Sequence, residues 1–512
     1  MSKSNEKTTN TPRSRRQVFT GTFIHSKNLT ELEILHNTYV YVDEYGVIVR
    51  ITSSDLEGRE GREGMQEDMK ELGWDREDVE YTHIHAPQYP NSGLFGSSTL
   101  LNWLNTYTFP LESSLSSLPK ANTIYSRIIQ RTLSHGTTTA AYYATLHVAA
   151  TNLLADLCLH HGQRALIGRC CMDSSSGANP PYYRDENAQQ SLQRTMDCIS
   201  HCEKIDPDRA LITAILTPRF APSCTRELML SLGKLSHEKN LPIQTHISEN
   251  RAEVSWVREL FPECADTGYA GVYDAYGCLT PRTILAHAVH VSEGEVRLIR
   301  ERGSGIAHCP VSNSALRSGM AGVRGWLDGG VKVGLGTDVS GGFSASVLVA
   351  AREASCVSRC VAAGVGGVDG EGSGGGSGGR KGEERDALSV EEVLYLATRG
   401  GAEVVGMQEV IGGFEVGMQW DAQLVGLGKP LMRKNDDGDG GWEDNITEDN
   451  IKEEVGAEDV VGAEETGPVD IFGWETWEEK IAKWVFNGDD RNTLKVWVKG
   501  RLVHQRRGGV AL

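Results

Sequence analysis

Eight apolar, β-rich runs alternate with helix-like stretches between residues 81 and 404. This alternation constrains the fold more than any other feature, because strand–helix units of this kind build parallel sheets. The predicted strands are 81–85, Thr137–Tyr143, Ala165–Asp173, Leu211–Phe220, Pro242–Glu249, Thr283–His290, Gly305–Val311 and Val331–Val339. Eight such units match an α/β fold, a TIM-like (β/α)8 barrel with insertions, and a doubly wound sheet is the alternative.

The segments on either side of this region predict a small β-sandwich built from residues 18–80 and 405–512. Short strands are predicted there at Val18–His25, Thr38–Val42, Val47–Ile51, Ile411–Leu427 and Leu494–Val503. Residues 53–80 are charged and predict a surface helix. The barrel is expected to span residues 81–404.

Three segments are predicted to have no fixed fold. Residues 1–17 form a polar, basic tail without an apolar run. Residues 364–385 are almost entirely glycine, serine and charged residues, which is typical of a flexible loop. Residues 429–467 are acidic and glycine-bearing, and they predict a disordered insertion in the small domain.

Composition excludes several classes of partner. The formal net charge of -18 argues against a nucleic-acid-binding surface, because phosphate contacts need clustered Lys and Arg. The sequence has no apolar run of about 18 residues, so neither a membrane span nor a secretory segment is predicted. The 11 cysteines are odd in number and form no CxxC pair, which favours reduced thiols in a cytoplasmic protein. A small molecule is therefore the expected partner.

Polar residues lie at the ends of the predicted strands. Side chains at the C-terminal ends of barrel strands converge on one face, where polar residues are catalytic candidates. The candidates are His83 and His85 on the first strand, His246 and Glu249 on the fifth, His287 on the sixth and Asp338 on the eighth. Any one of these histidines alone would be read as a core or surface residue, but the set predicts a functional site.

The chemistry of this set is that of a hydrolytic metal site. His83, His85 and His246 supply three nitrogens and Asp338 a fourth ligand, a combination that suits zinc. Glu249 follows His246 by three positions and is expected to shuttle protons, and His287 to stabilise the attacking nucleophile. One zinc ion is predicted for this set of four ligands.

Several segments of the chain resemble the guanine deaminases of the amidohydrolase superfamily. They are Thr82-His83-Ile84-His85-Ala86-Pro87-Gln88-Tyr89, Leu216-Thr217-Pro218-Arg219-Phe220, Thr245-His246-Ile247-Ser248-Glu249-Asn250-Arg251, Leu285-Ala286-His287, Ala307-His308-Cys309-Pro310 and Gly334-Leu335-Gly336-Thr337-Asp338. The likeness covers residues 18–360, 388–427 and 468–503. The HxH pair marks only the superfamily, whereas its combination with Gln88, Arg219-Phe220 and His246-x-x-Glu249 is specific to the guanine enzymes.

The resemblance implies a role for each matching residue. His83, His85, His246 and Asp338 match the zinc ligands, and Glu249, His287 and Asp338 match the catalytic positions. Gln88, Arg219 and Phe220 match the purine-contacting positions, with His246 and Glu249 also facing the substrate. The implied reaction is the hydrolysis of guanine to xanthine and ammonia in purine catabolism, by an enzyme that is typically a homodimer.

The chain departs from the family pattern just before the HxH pair. Family members carry Pro-Gly, two hydrophobic residues and Asp there, whereas this chain has Glu77-Asp78-Val79-Glu80-Tyr81 after a shortened lead-in. A charged sequence makes a poor buried parallel strand. Two alternatives stay open: an amidohydrolase acting on another purine, pterin or triazine ring, and a catalytically impaired homologue that serves as a scaffold.

Overall fold

A barrel of parallel strands dominates the computed structural model, which describes residues 16–53, 84–96, 99–365, 383–427, 432–434, 442–444 and 467–506. Its strands form two four-stranded parallel sheets, joined by a parallel bridge between Leu216 and Ile243. The first sheet contains β4 (Ile84–His85), β5 (Thr139–Tyr143), β6 (Arg164–Gly168) and β8 (Ile212–Ala214), and the short strands β7 (Cys170–Cys171) and β9 (Thr217–Pro218) pair beside it. The second contains β10 (Ile243–Ile247), β11 (Thr283–His287), β12 (Gly305–His308) and β13 (Lys332–Leu335). Each of the eight predicted strands has a counterpart among the described residues, the first of them only in Ile84–His85, and the predicted fold class is confirmed.

Helices follow each barrel strand and pack around the sheets. In chain order they are α1 (Leu100–Trp103), α2 (Phe109–Ser113), α3 (Leu118–Ser134), α4 (Val148–His161), α5 (Ala188–Ile205), α6 (Arg226–Lys239), α7 (Arg251–Leu260), α8 (Gly268–Ala275), α9 (Glu293–Glu301), α10 (Pro310–Ala315), α11 (Val323–Asp328), α12 (Val347–Ala362), α13 (Val390–Ala397) and α14 (Arg399–Val404). Local sequence sets their ends: Ser292 and Glu295 form a capping box that starts α9. No helix in the part of the chain that the structure describes is long and apolar enough to cross a membrane.

The barrel is a filled core and not a channel. Its strands are almost wholly buried on both faces, as parallel strands covered by helices must be. Small and branched side chains fill one layer of the interior: Ala141, Leu166, Ile215, Ile284, Ala307 and Val404.

Antiparallel sheets from the two ends of the chain pack together beside the barrel. One contains β1 (Gln17–Asn28), β2 (Glu31–Val42) and β3 (Ile48–Ser53), and the other contains β14 (Ala422–Val425), β17 (Thr493–Val498) and β18 (Arg501–Gln505). The buried Trp420 stacks on Phe19 with ring centroids 4.5 Å apart. The two segments thus share one aromatic core, as the sequence predicts, although the exact domain boundaries stay a prediction.

The C-terminal segment differs from the sequence prediction in two places. Strands β15 (Met432–Lys434) and β16 (Trp442–Asp444) pair within the predicted disordered insertion, 429–467, whose other residues, except for Gly467, lie outside the described ones. Helix α15 (Trp477–Asn487) was not predicted, although Thr476 and Glu479 form its capping box. The predicted helix over 53–80 lies outside the described residues except for Ser53, which ends β3. Most of the two other predicted flexible segments, 1–17 and 364–385, also lies outside them.

A buried ion pair ties the barrel to the small domain. The Arg164 guanidinium at the start of β6 contacts the Asp421 carboxylate, with 2.8 Å between Nη2 and Oδ1, and donates to Gln419 Oε1 at 2.6 Å. The side chains of Arg164 and Asp421 are only 2% and 0% exposed. Each charge therefore depends on the other for compensation.

Replacing one partner of this pair is expected to destabilise the protein. Asp421→Asn leaves a buried guanidinium without its counter-charge, and we expect the free energy of unfolding to fall by about 3–5 kcal/mol in urea titrations. Asp274→Asn is the matched control, because the Asp274–Arg302 pair is partly exposed and should change stability by less than about 1 kcal/mol. An equally small effect of both substitutions would contradict this role for the pair.

Candidate metal and active site

A cleft at the C-terminal ends of the barrel strands brings together the predicted site residues that the structure describes. Its lining consists of His85, Gln88, Leu100, Trp103, Leu104, Arg219, Phe220, His246, Glu249, Glu253, His287, Leu316 and Asp338. His83 lies outside the described residues, as does the altered segment before it. The impairment predicted from that segment therefore stays a prediction.

Three of the predicted metal ligands converge at the base of this cleft. His85 Nε2 lies 3.1 Å from His246 Nε2 and 3.3 Å from Asp338 Oδ1. Ligand atoms of all three residues lie within 4.8 Å of one another. Ligands bound about 2.0–2.1 Å from a tetrahedral zinc ion lie about 3.3 Å apart, so the spacing of these atoms fits such an ion.

Neighbouring groups orient two of these histidines. Nδ1 of His246 lies 2.5 Å from the carbonyl oxygen of Arg219, so its N–H donates there and Nε2 is left to face His85. The His85 ring stacks on Tyr143 with centroids 4.3 Å apart. A histidine whose far nitrogen is held by a backbone carbonyl is in the tautomer that can ligate a metal through Nε2.

Glu249 and His287 form the second half of the site. Oε2 of Glu249 lies 3.5 Å from Nε2 of His287, and Ser318 Oγ donates to Oε1 at 3.1 Å. Burial raises the pKa of the Glu249 carboxyl to about 7, with Asp338 adding to the effect and His287 opposing it. A carboxyl group with a pKa near neutrality can both accept and donate a proton during turnover.

The electrostatics of His287 depend on the two carboxylates beside it. Burial alone would lower the pKa of His287, but the charges of Glu249 and Asp338 outweigh burial and hold it above its usual value. On its other side, Nδ1 of His287 lies 3.0 Å from Oδ1 of Asn313. The Nδ1–H therefore donates to this amide oxygen, and Nε2 faces the cleft.

The backbone is strained at the strand ends that carry these groups. His287 has a φ of 73° and Asp338 a φ of 45°, and Ser248, beside Glu249, has a φ of 48°. Non-glycine residues in the left-handed region cost of order 1–3 kcal/mol and persist where the fold requires them. The strain coincides with the side chains that line the cleft.

The predicted purine-contacting residues occupy another wall of the cleft. Gln88, Arg219 and Phe220 are all buried there. The Arg219 guanidinium is paired in turn with Glu112, through Nη1–Oε2 at 2.6 Å and Nη2–Oε1 at 3.0 Å. This wall therefore offers an amide, a guanidinium and an aromatic ring to a flat polar ligand.

Sequence reasoning missed four residues that support this site: Glu112, Glu253, Asn313 and Ser318. Glu253 accepts hydrogen bonds from the backbone nitrogens of Glu249 and Asn250, at 2.8 and 3.2 Å, and so fixes the loop that carries Glu249. Its three-residue spacing from Asn250 matches a capping box and could have been read from the sequence. No comparable signal marks the other three.

His308, in the segment Ala307-His308-Cys309-Pro310, does not line the cleft. It is 1% exposed, and neither ring nitrogen has a hydrogen-bond partner among the described residues. Burial, with His287 adding to the effect, lowers the pKa of His308 to about 3. It is a neutral residue of the core.

Comparison with known proteins agrees with this geometry. The model of the amidohydrolase family matches residues 82–503. A probable guanine deaminase of Schizosaccharomyces pombe is 44% identical, with 95% of this chain and 83% of that protein covered. The guanine deaminase of Homo sapiens is 35% identical, with 95% and 96% covered. The crystal structure of guanine deaminase from C. acetobutylicum, with guanine bound in its active site, superposes with a TM-score of 0.73 at 29% identity, covering 96% of this chain and 100% of that one.

The barrel and the His–His–Asp group at its strand ends define a metal-dependent hydrolase. The chain belongs to the amidohydrolase family and, within it, to the guanine deaminases.

Proposed function

We propose that this protein hydrolyses guanine to xanthine and ammonia, using one zinc ion held by His83, His85, His246 and Asp338. The observation that carries the proposal is the meeting, in one cleft, of a metal-ligand group with a buried carboxylate and a polar, aromatic wall. Relatives named guanine deaminase that cover nearly the whole chain support the choice of substrate.

Glu249 is proposed to move the protons of the reaction. When bound, zinc lowers the pKa of water to about 7 and so supplies a nucleophile at neutral pH. Glu249 takes the proton that this water loses as its oxygen bonds to C2 of the purine, and it delivers the proton to N3. It then transfers the remaining hydroxyl proton to the amino nitrogen, so that the C2–N bond breaks and ammonia leaves.

His287 is proposed to stabilise the negative charge that builds during this attack. Its Nε2 faces Glu249 Oε2 at 3.5 Å and Asp338 Oδ2 at 3.8 Å. Because both carboxylates favour the protonated ring, the histidine offers a positive charge next to the reacting atoms.

Gln88, Arg219 and Phe220 are proposed to hold the purine. An amide and a guanidinium can pair with the O6 and N1 edge of guanine, and an aromatic ring can pack on its face. Phe220 is 4% exposed, which suits a residue that forms one side of a narrow slot.

The oligomeric state and the location belong to the same proposal. The resemblance to guanine deaminases supports a homodimer, and the odd number of cysteines without a CxxC pair supports the cytoplasm. Light scattering of the purified chain measures the former, and a monomer would contradict it.

Metal removal tests the proposed function. Dialysis against a chelator is expected to abolish the loss of guanine absorbance, and adding zinc back should restore turnover in proportion to bound metal, up to one ion per chain. Circular dichroism before and after dialysis is the control for folding. Turnover by the metal-free protein, or no turnover of guanine with zinc bound, would contradict the proposal.

A further inference from the structure

Glu112 is a buried carboxylate that contacts the purine-binding wall from behind. Glu112 is 0% exposed, and its carboxylate accepts four hydrogen bonds. Two come from Arg219, at 2.6 and 3.0 Å, one from Gln88 Nε2 at 2.9 Å, and one from the Tyr183 hydroxyl at 2.9 Å. A carboxylate at this depth requires such partners, and two of them are residues proposed to bind the substrate.

The pair with Glu112 fixes the plane of the Arg219 guanidinium. Both terminal nitrogens of Arg219 donate to Glu112, which occupies two of the five N–H groups. Because the guanidinium is planar, this pairing also fixes the directions of the other three N–H groups. The guanidinium also lies over the Phe109 ring, 5.1 Å from its centroid. The positive charge of Arg219 is therefore balanced by Glu112, and its remaining N–H donors are oriented before a ligand binds.

The same carboxylate decides which way the Gln88 amide faces. An ionised carboxylate can only accept hydrogen bonds, so the Gln88 atom that lies 2.9 Å from Glu112 must be the NH2 group. This NH2 group also lies 3.2 Å from Nδ1 of His85, but the closer and charged Glu112 carboxylate sets its orientation. The carbonyl oxygen is then on the other side of the amide, 3.5 Å from the backbone nitrogen of Ser340, so Gln88 presents an acceptor away from Glu112.

We propose that Glu112 is a positioning residue for substrate selection: it sets Gln88 as an acceptor and Arg219 as a donor against one edge of the purine. The inference rests on the proposed function. Guanine carries a donor at N1 and an acceptor at O6, which complement this pair. In 2,6-diaminopurine both are reversed, because N1 is an acceptor and the C6 amino group a donor, and a site built for one pattern leaves its own groups unpaired with the other.

Glu112→Gln tests the inference, because it keeps the size of the side chain and removes the charge that orders both partners. Relative to the unaltered protein, we expect KM for guanine to rise on the order of tenfold or more, with a smaller change in kcat. The preference for guanine is measured as the inhibition constant of 2,6-diaminopurine divided by KM for guanine. We expect this ratio to fall by a similar factor. Bound zinc should stay at one ion per chain.

Glu263→Gln is the matched control. Glu263 makes a similar two-bond pair with Arg226, at 2.7 and 3.0 Å, but its side chain is 42% exposed and lies outside the cleft. Its kinetic constants and its preference for guanine are expected to equal those of the unaltered protein. The control thus separates loss of a glutamate–arginine pair in general from loss of this one.

Glu112→Asp is a second variant, and it tests the same inference if Glu112→Gln does not fold. It keeps the charge but withdraws it from Gln88 and Arg219, so KM and the preference should shift in the same direction. Folded variants with an unchanged KM and preference would overturn the inference, as would loss of zinc or a fall in kcat alone. Absence of guanine turnover in the unaltered, zinc-loaded protein would instead contradict the proposed function.

Discussion

Glu249→Gln is expected to lower kcat for guanine by about a thousandfold, within the range of 10²–10⁴ that positioned proton transfer contributes. The amide keeps the shape of the side chain and can still accept from Ser318 Oγ, which lies 3.1 Å from Oε1. It cannot carry a proton from water to N3 or to the leaving amino group. Steady-state assays by guanine absorbance, with zinc determined on the same sample, measure the effect.

The controls for this prediction separate proton transfer from damage to the site. Zinc content and KM should stay near those of the unaltered protein, because Glu249 is not a proposed metal ligand. Ser318→Ala removes only the hydrogen bond to Glu249 and should cost about tenfold or less in kcat. Retained turnover in Glu249→Gln would refute the assigned proton shuttle.

His246→Asn and His287→Asn are expected to fail in different ways. His246→Asn removes a proposed ligand, so zinc should be lost together with several kcal/mol of transition-state stabilisation, at least about a thousandfold in rate. His287→Asn should keep its zinc and lose about a hundredfold or more in kcat, because only the charge beside the reacting atoms is removed. Metal analysis of both purified variants distinguishes the two roles.

His201→Asn provides the comparison for these two substitutions. His201 lies at the surface, where its Nε2 contacts Asp156 at 2.8 Å. Its substitution should change neither the zinc content nor the rate of guanine turnover. If His287→Asn also loses its zinc, then His287 is a ligand and not a separate catalytic group. If His246→Asn keeps its zinc and its rate, the proposed ligand set is wrong.

The architecture of the barrel could be predicted because its signals are local. Each strand is a short apolar run, and parallel strands bring their C-terminal ends to one face. His85, His246, His287 and Asp338 therefore met as expected without any knowledge of how the helices pack. The roles given to these residues followed from the chemistry of their side chains and from resemblance to a family.

The residues behind the site could not be predicted, because their importance comes from burial. Glu112 lies in a short helix after a proline, where a glutamate is usually exposed, and only the tertiary fold places it against Arg219. Asn313, in α10, and Ser318, just after that helix, are likewise placed by the tertiary fold against His287 and Glu249. A sequence pattern reports which residues can perform chemistry, but not which ones hold them in place.

The pairing of Arg164 with Asp421 has a consequence for synthesis of the chain. The two residues are 257 positions apart, so a ribosome completes the first half of the barrel long before it releases the partner of Arg164. Phe19 likewise has no stacking partner until Trp420 has been synthesised. Until then the nascent chain exposes an unmatched charge and an uncovered aromatic surface, features that expose incomplete proteins to aggregation and proteolysis. Products truncated before residue 420 are therefore expected to be degraded and not to accumulate as partial enzymes.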